Sequence, residues 1–249
     1  MAAPTAGACS KACSRRSAET MRPDVCADCP VRDQAVCASL NAAELAELAA
    51  IGRHRDFARG ETIFAADDDN VACATLVSGA AKLSRLDSEG VERIVGLVHP
   101  AGFLGQLFAA TNRHEATALT DSRACLFPRR EFERLMAAHP ALTRSILERT
   151  LAELDASRGL AELIGRRDVK ARVAGLLLAF ARAAAPSPCG LALEFELPLS
   201  REEMASLLGT TIETVSRRLT ELERAGIVAR RGARGLAIRD EAALAAAAG

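Results

Sequence analysis

Three cysteines, Cys26, Cys29 and Cys37, fall within the stretch CADCPVRDQAVC, the first two spaced like paired ligands of a metal knuckle. Thiolates ligate both zinc and iron–sulfur clusters, and either site wants four ligands. Spacing leaves the fourth open among Cys9, Cys13, Cys73, Cys125 and Cys189, and a lone buried cysteine is more often a small hydrophobe than a ligand. A zinc ribbon would bring a second Cys-x-x-Cys, which the chain lacks. The spacing therefore favours an iron–sulfur cluster over structural zinc, while Cys9 and Cys13 keep a thiol redox pair in view. The four histidines have no metal-ligand spacing and no Gly-rich phosphate cradle occurs. An iron–sulfur enzyme or electron carrier is accordingly disfavoured, and no catalytic residue is assigned.

A second constellation lies in LPLSREEMASLLGTTIETVSRRLTELERAGIVARRG. Ser200 and Glu203 form a capping box for a helix running to Leu208, Gly209 ends it, and Thr211 is placed to cap another. Two short helices about a Gly-containing turn make a helix-turn-helix. On the second helix Val215, Leu219 and Leu222 share an inward face, whereas Ile212, Glu213, Ser216 and Arg217 point outward at its N-terminal end, where a recognition helix meets base edges. Arginine can donate twice to guanine and a carboxylate can accept from cytosine, so Glu213 and Arg217 could read both halves of one G·C pair. The plainer alternative is an i,i+4 ion pair worth tenths of a kcal/mol. The arginines of ARRGARGLAI read as a β wing touching phosphates.

These groups need a scaffold, and the chain supplies one in pieces. Lys plus Arg equal Asp plus Glu at 32 each, so global charge names no partner. From Leu199 to Arg239, however, eight Arg face five Glu, a local surplus suited to a polyanion. Without Trp or Tyr the chain lacks the stacking platforms of single-strand and RNA binders, which favours double-stranded DNA. The most apolar window, Val173 to Phe180, is too short for a bilayer and no secretory run follows Lys11, Arg15 and Arg16, so a cytoplasmic, reducing location with no membrane is expected.

Along the chain, 1–22 reads as a flexible tail and 23–40 as the cysteine loop. Asn41 caps a short helix, and 41–137 forms a β-roll of short strands with a hairpin turn at Asp87–Gly90. After Arg130 about 35 residues turn helical, the part over 138–165 serving as a dimerisation helix. Its Leu147, Leu151, Leu154, Arg158 and Ala161 recur at steps of four and three, a coiled-coil seam, with Arg158 tuning the pairing and Asp155 beside it. Residues 166–240 carry the helix-turn-helix, and 241–249 read as a tail.

With CADCPVRDQAVC, SGAAKLSRLDSEGVERIVGLVHPAGFLG, DSRACLFPRREFERL and LSREEMASLLGTTIETVSRRLTELERAGIV in view, the chain resembles, over nearly its full length, the CRP/FNR superfamily of bacterial regulators and its FNR-type oxygen sensors. The resemblance implies an α+β fold: an N-terminal double-stranded β-helix (a cyclic-nucleotide-binding-like jelly roll), a long dimerisation helix and a C-terminal winged helix-turn-helix. It also implies a homodimer working with RNA polymerase, and an oxygen-labile 4Fe–4S cluster on Cys26, Cys29, Cys37 and, by match, Cys125. Glu213, Ser216 and Arg217 would read a TTGAT-N4-ATCAA dyad, with Ile212 near a thymine methyl. Relatives that bind cAMP hold ribose with Glu and phosphate with Arg. Here Gln106 and Glu115 match those places, and a carboxylate facing phosphate argues against a cyclic nucleotide. The usual Pro-Gly-Asp turn has become Pro100-Ala101-Gly102.

Overall fold

The structure is a computed structural model that describes residues 19–20, 26, 28–185 and 190–249. The expected tail, with Cys9 and Cys13, lies outside them except at Glu19–Thr20, and so does Cys189. Those two residues correct the tail reading, because as strand β1 they pair antiparallel with β2 (Arg53–Phe57) and extend its edge.

Two sheets make the N-terminal half. One is ordered β1-β2-β9-β4-β7 and the other β3-β8-β5-β6, with β3 Thr62–Phe64, β4 Ala72–Ser78, β5 Ala81–Leu86, β6 Glu92–Val98, β7 Phe103–Leu104, β8 Glu115–Ala118 and β9 Ser122–Pro128. Alternation along β4 and β9 divides their side chains between two cores. Ala74, Leu76 and Ala124 join Phe57, Ile63, Val98 and Leu104 between the sheets. Cys73, Val77, Cys125 and Phe127 face outward, onto Val31, Val36, Leu48 and Phe132. The cysteine loop and helices α1 (Ala42–Ile51) and α2 (Arg129–Ala138) thus cover the outer face of the five-stranded sheet. Strand β2 escapes the sequence pattern because RHRDF buries Phe57 alone.

The expected continuous helix after Arg130 is two helices. α2 stops at Ala138, and α3 runs Pro140–Gly165. Pro140 has no N–H to continue α2 and pushes His139 out of the helical region, to φ −120° and ψ 95°. Helix α4 (Val169–Ala183) follows with its Asp168 cap, then strand β10 (Glu194–Glu196).

The C-terminal unit consists of α5 (Arg201–Leu208), α6 (Ile212–Arg224) and the wing β11 (Val228–Arg231) and β12 (Gly235–Ile238), which order as β10-β12-β11. Residues 241–249 are not a tail. Asp240 caps α7 (Glu241–Ala248), and Leu244 and Ala248 are buried in the same core as Val173, Leu177 and Phe180 of α4. An alanine-rich helix shows little amphipathic signal, and one leucine suffices to dock it.

Candidate functional site: a thiol-lined cavity and a recognition helix

Cys125 sits mid-strand in β9, opposite His54 of β2 and Thr75 of β4. Directly opposed residues of antiparallel strands present side chains on one face. The structure brings this Cys125–Thr75–His54 row against the loop, so that Cys26, Cys29, Cys37, Cys125, His54 and Thr75 line one small, otherwise apolar cavity. Of the residues left open on spacing, Cys125 therefore shares a cavity with the knuckle, whereas Cys73 is buried on the same face and its thiol donates to the Phe127 carbonyl. Sequence reasoning missed His54 and Thr75. The signal for Thr75 was a polar residue inside the apolar run ACATLV, which alternation assigns to the face of Cys73 and Val77.

Three of the thiols, Cys26, Cys37 and Cys125, are pushed toward the protonated form. Burial pushes Cys37 up to about 11, with Cys29 beside it adding to the rise. Burial, then Cys29, raises Cys26 against the opposing pull of Arg32. Cys125 is raised furthest, by burial and then by Cys26, Cys37 and Cys29. Three raised thiols with Cys29 beside them suit a metal centre, since thiolate is the ligating form and a cation replaces the protons. Among the described residues no three His, Cys, Asp or Glu side chains close on one point as ligands of a single ion would. Thr75 adds an orphan: it is 4% exposed, and its Oγ1 has no hydrogen-bond partner among the described residues. Four sulfur donors and an unsatisfied hydroxyl around one cavity fit a sulfur-ligated cluster.

The loop leans on α3. Cys37 lies in the 3-10 turn Val36–Ser39, and Ser39 Oγ donates to the Ala141 carbonyl at 3.1 Å. Further along α3, Arg149 donates to the Ala101 carbonyl at 2.9 Å, and its charge eases Cys37 toward thiolate. Ala101 is in the left-handed region (φ 70°), Pro100 preceding it, and the Gly102 N–H closes the turn onto His99 at 2.9 Å. The Pro-Ala-Gly turn thus holds an alanine in the left-handed region at some strain and offers α3 a carbonyl.

Helix α3 buries Leu142, Ser145 and Leu163 against its own chain. The residues of the expected seam are exposed, Leu147 57%, Leu151 53% and Leu154 45%, with Arg158 and Ala161 also exposed, on a helix whose residues 151–159 are exposed on every side. Arg158 is tied to Asp155 at 3.3 Å.

In the C-terminal unit, Ser200 Oγ accepts from Glu203 N at 3.1 Å and Glu203 Oε2 accepts from Ser200 N at 2.7 Å, while Gly209 (φ 60°) ends α5. Thr211 caps α6, burying Val215, Leu219 and Leu222. Ile212, Glu213 and Arg217 are exposed and Ser216 half-buried, its hydroxyl 3.4 Å from Arg201 Nη1. The alternative of a Glu213–Arg217 ion pair does not form; the Arg217 side chain has no partner among the described residues, and Glu213 is held below the usual carboxylate range by the Thr211 hydroxyl. The wing expected from ARRGARGLAI is formed by β11 and β12. Within it Arg230 is paired with Glu223 at 2.8 Å, Arg234 donates to the Pro198 carbonyl at 3.0 Å, and Arg231 lies 4.0 Å from Glu194.

Gln106 lines a wide cleft between the sheets, α3 and α4, where its Oε1 accepts from Arg113 N at 3.0 Å. Glu115 accepts from Thr117 Oγ1 at 2.9 Å instead. No helix among the described residues is long and apolar enough to cross a membrane.

The Crp-like helix-turn-helix domain model matches residues 171–247, and the cyclic nucleotide-binding domain model matches 54–139. The chain is 39% identical to the transcriptional activator protein FnrL of Cereibacter sphaeroides, over 88% of this chain and 90% of FnrL. It is 38% identical to the nitrogen fixation regulation protein FixK of Bradyrhizobium diazoefficiens, over 82% and 86%. Among solved structures, FixK2 of Bradyrhizobium japonicum superimposes with a TM-score of 0.72 at 28% identity, covering 80% of this chain and 98% of FixK2.

Proposed function

This chain belongs to the CRP/FNR family of DNA-binding transcription regulators, and from that premise we propose that it works as a homodimer whose grip on DNA is set by a 4Fe–4S cluster held by Cys26, Cys29, Cys37 and Cys125. The observation that carries the reading is the meeting of those four thiols in one cavity whose loop wall is bonded to α3. When bound, such a cluster supplies an oxygen-labile tie between loop and sheet.

The chain's own residues do the rest. Cys125 is fixed in the β9 ladder, whereas turns alone connect the described residues from Asp28 to Ala35. The cavity is small, about 30 Å³, so the loop must yield to load it, and the loop's contact with the first turn of α3 carries that displacement to the helix. Ser39 and Arg149 fix where α3 sits. Leu147, Leu151 and Leu154 present its open face to a second copy. Pairing sets two α6 helices about 34 Å apart, one DNA turn, where Glu213, Ser216 and Arg217 read the half-sites of a TTGAT-N4-ATCAA dyad. Turning such a switch from nearly off to nearly on needs about 5.5 kcal/mol of bias, within reach of four metal–thiolate bonds. Glu115 puts a carboxylate where a cyclic phosphate would need a cation, so the β-roll acts without a nucleotide.

The test is the visible spectrum with iron and sulfide content of protein purified without air, repeated after aeration. Straw-brown protein with about four irons per chain that bleaches in air is expected. Colourless protein carrying zinc or no metal would overturn the sensor and leave the DNA-binding regulator standing.

A further inference from the structure

We infer that Thr75 is a positioning residue for that centre, its hydroxyl donating a hydrogen bond to the Cys125 sulfur once that sulfur is a ligating thiolate; this rests on the cluster reading above. Thr75 and Cys125 are directly opposed across β4 and β9, which places their Cβ atoms about 5 Å apart on one face. Both line the cavity that holds the other three thiols. Thr75 is buried to 4% exposure and its Oγ1 is unsatisfied among the described residues.

A buried hydroxyl without a partner is a standing cost, and valine fills the same shape without it. A threonine there is accounted for if an acceptor is present in the working state. A thiol is a weak acceptor, whereas a thiolate is a strong one, and hydrogen bonds to charged groups are the stronger class. A bond donated to a ligating sulfur draws electron density from it and favours the more electron-rich state of the centre. Removing the hydroxyl should therefore leave the metal-free fold intact and make the loaded protein easier for dioxygen to oxidise.

The experiment compares wild type, Thr75→Val and Thr75→Ser in two measurements: thermal melting of metal-free protein, and the half-life of visible absorbance in aerated buffer after anaerobic loading, with iron quantified beforehand. Metal-free Thr75→Val should melt at or above the wild-type temperature. Loaded to the same iron content, it should bleach roughly tenfold faster, the equivalent of a lost charge-assisted hydrogen bond, and Thr75→Ser should restore the slow rate. A merely structural hydroxyl predicts the reverse, a lower melting temperature in Thr75→Val and no change in bleaching; that result overturns the inference. Wild type that takes up iron while Thr75→Val bleaches at its rate overturns the inference alone. Wild type that takes up no iron overturns the cluster reading and the inference with it.

Discussion

Arg217 projects from the first turns of α6 with its guanidinium uncommitted among the described residues, while its neighbours Arg218, Arg230 and Arg234 are spent on Glu221, Glu223 and backbone carbonyls. An uncommitted fork is free to grip the O6 and N7 of one guanine. Arg217→Ala should lose about 1–3 kcal/mol at the one G·C pair it reads, roughly tenfold to hundredfold in competition binding, and change binding to half-sites already mutated at that pair very little. Equal losses on every sequence would make Arg217 a phosphate contact. The residues of this site differ in how far the sequence disclosed them. Ser200, Glu203, Gly209 and Thr211 act on neighbours three or four residues away, so their spacing was legible. Cys26, Cys29 and Cys37 were legible as a set for the same reason. Cys125 came only from the family resemblance, and that His54 and Thr75 join it was not legible, because strand register is a long-range fact that no local spacing encodes.

At the scale of elements, two joints carry the behaviour. The open face of α3 bears Arg158 among leucines, and pairing two copies brings two guanidiniums toward one seam. Arg158→Leu removes that repulsion and adds buried apolar surface, about 1.5–3 kcal/mol per side chain. The variant should remain dimeric in aerated buffer by sedimentation at concentrations where wild type dissociates. Monomeric aerated variant would take the seam off this face. The second joint ties the recognition unit to the β-roll. Lys82 Nζ on β5 lies 2.8 Å from Glu92 and 3.1 Å from Glu203, Arg59 lies 3.9 Å from Glu203, and Ser206 Oγ donates to the Glu92 carbonyl at 2.8 Å. Burial raises the Glu203 carboxyl, but the Ser200 N–H and Lys82 more than offset it, so it titrates below its ordinary value. Burial pulls Lys82 down, and its bonds to Glu92 and Glu203 carry it above its ordinary value. A depressed carboxyl stabilises above its unfolded pKa and loses that as pH falls through the folded value; a raised ammonium stabilises below its unfolded pKa and loses it as pH climbs through the folded one. The joint is thus strongest between about pH 5 and pH 10. Glu203→Gln should cost about 1–2 kcal/mol at pH 7, and the gap from wild type should close below about pH 4 in denaturant melts. A gap that persisted in acid would assign the loss to the helix cap alone. Both ends of α5 and the start of α6 were read to the residue because caps and turn agree. Helix α2 was fused with α3 by ignoring Pro140, and α7 was missed because alanines carry no face.

For the whole molecule, the second joint decides how the proposed dimer would meet DNA. Apolar side chains run without a break from Ala80, Ile94 and Leu119 of the β-roll through α4, α5 and α6 to Leu244 of α7. With the Lys82–Glu203 tie, that core holds α6 on the β-roll, and the β-roll is packed on α3 through the loop turn and Arg149. Two copies joined along α3, as proposed, would therefore carry their recognition helices at a fixed spacing and phase, not on tethers. Five base pairs inserted at the centre of the dyad would turn the half-sites by about half a helical turn, and ten would restore the phase while adding about 34 Å. A rigid dimer should fail on both, falling at least about a hundredfold in affinity toward nonspecific binding. A tethered one would fail at five and recover at ten. Gel-shift titration of the anaerobic dimer on the three spacings separates these outcomes. Recovery at ten would mean that the ion tie and the apolar core open on DNA, and the acid-sensitive joint would then be a hinge.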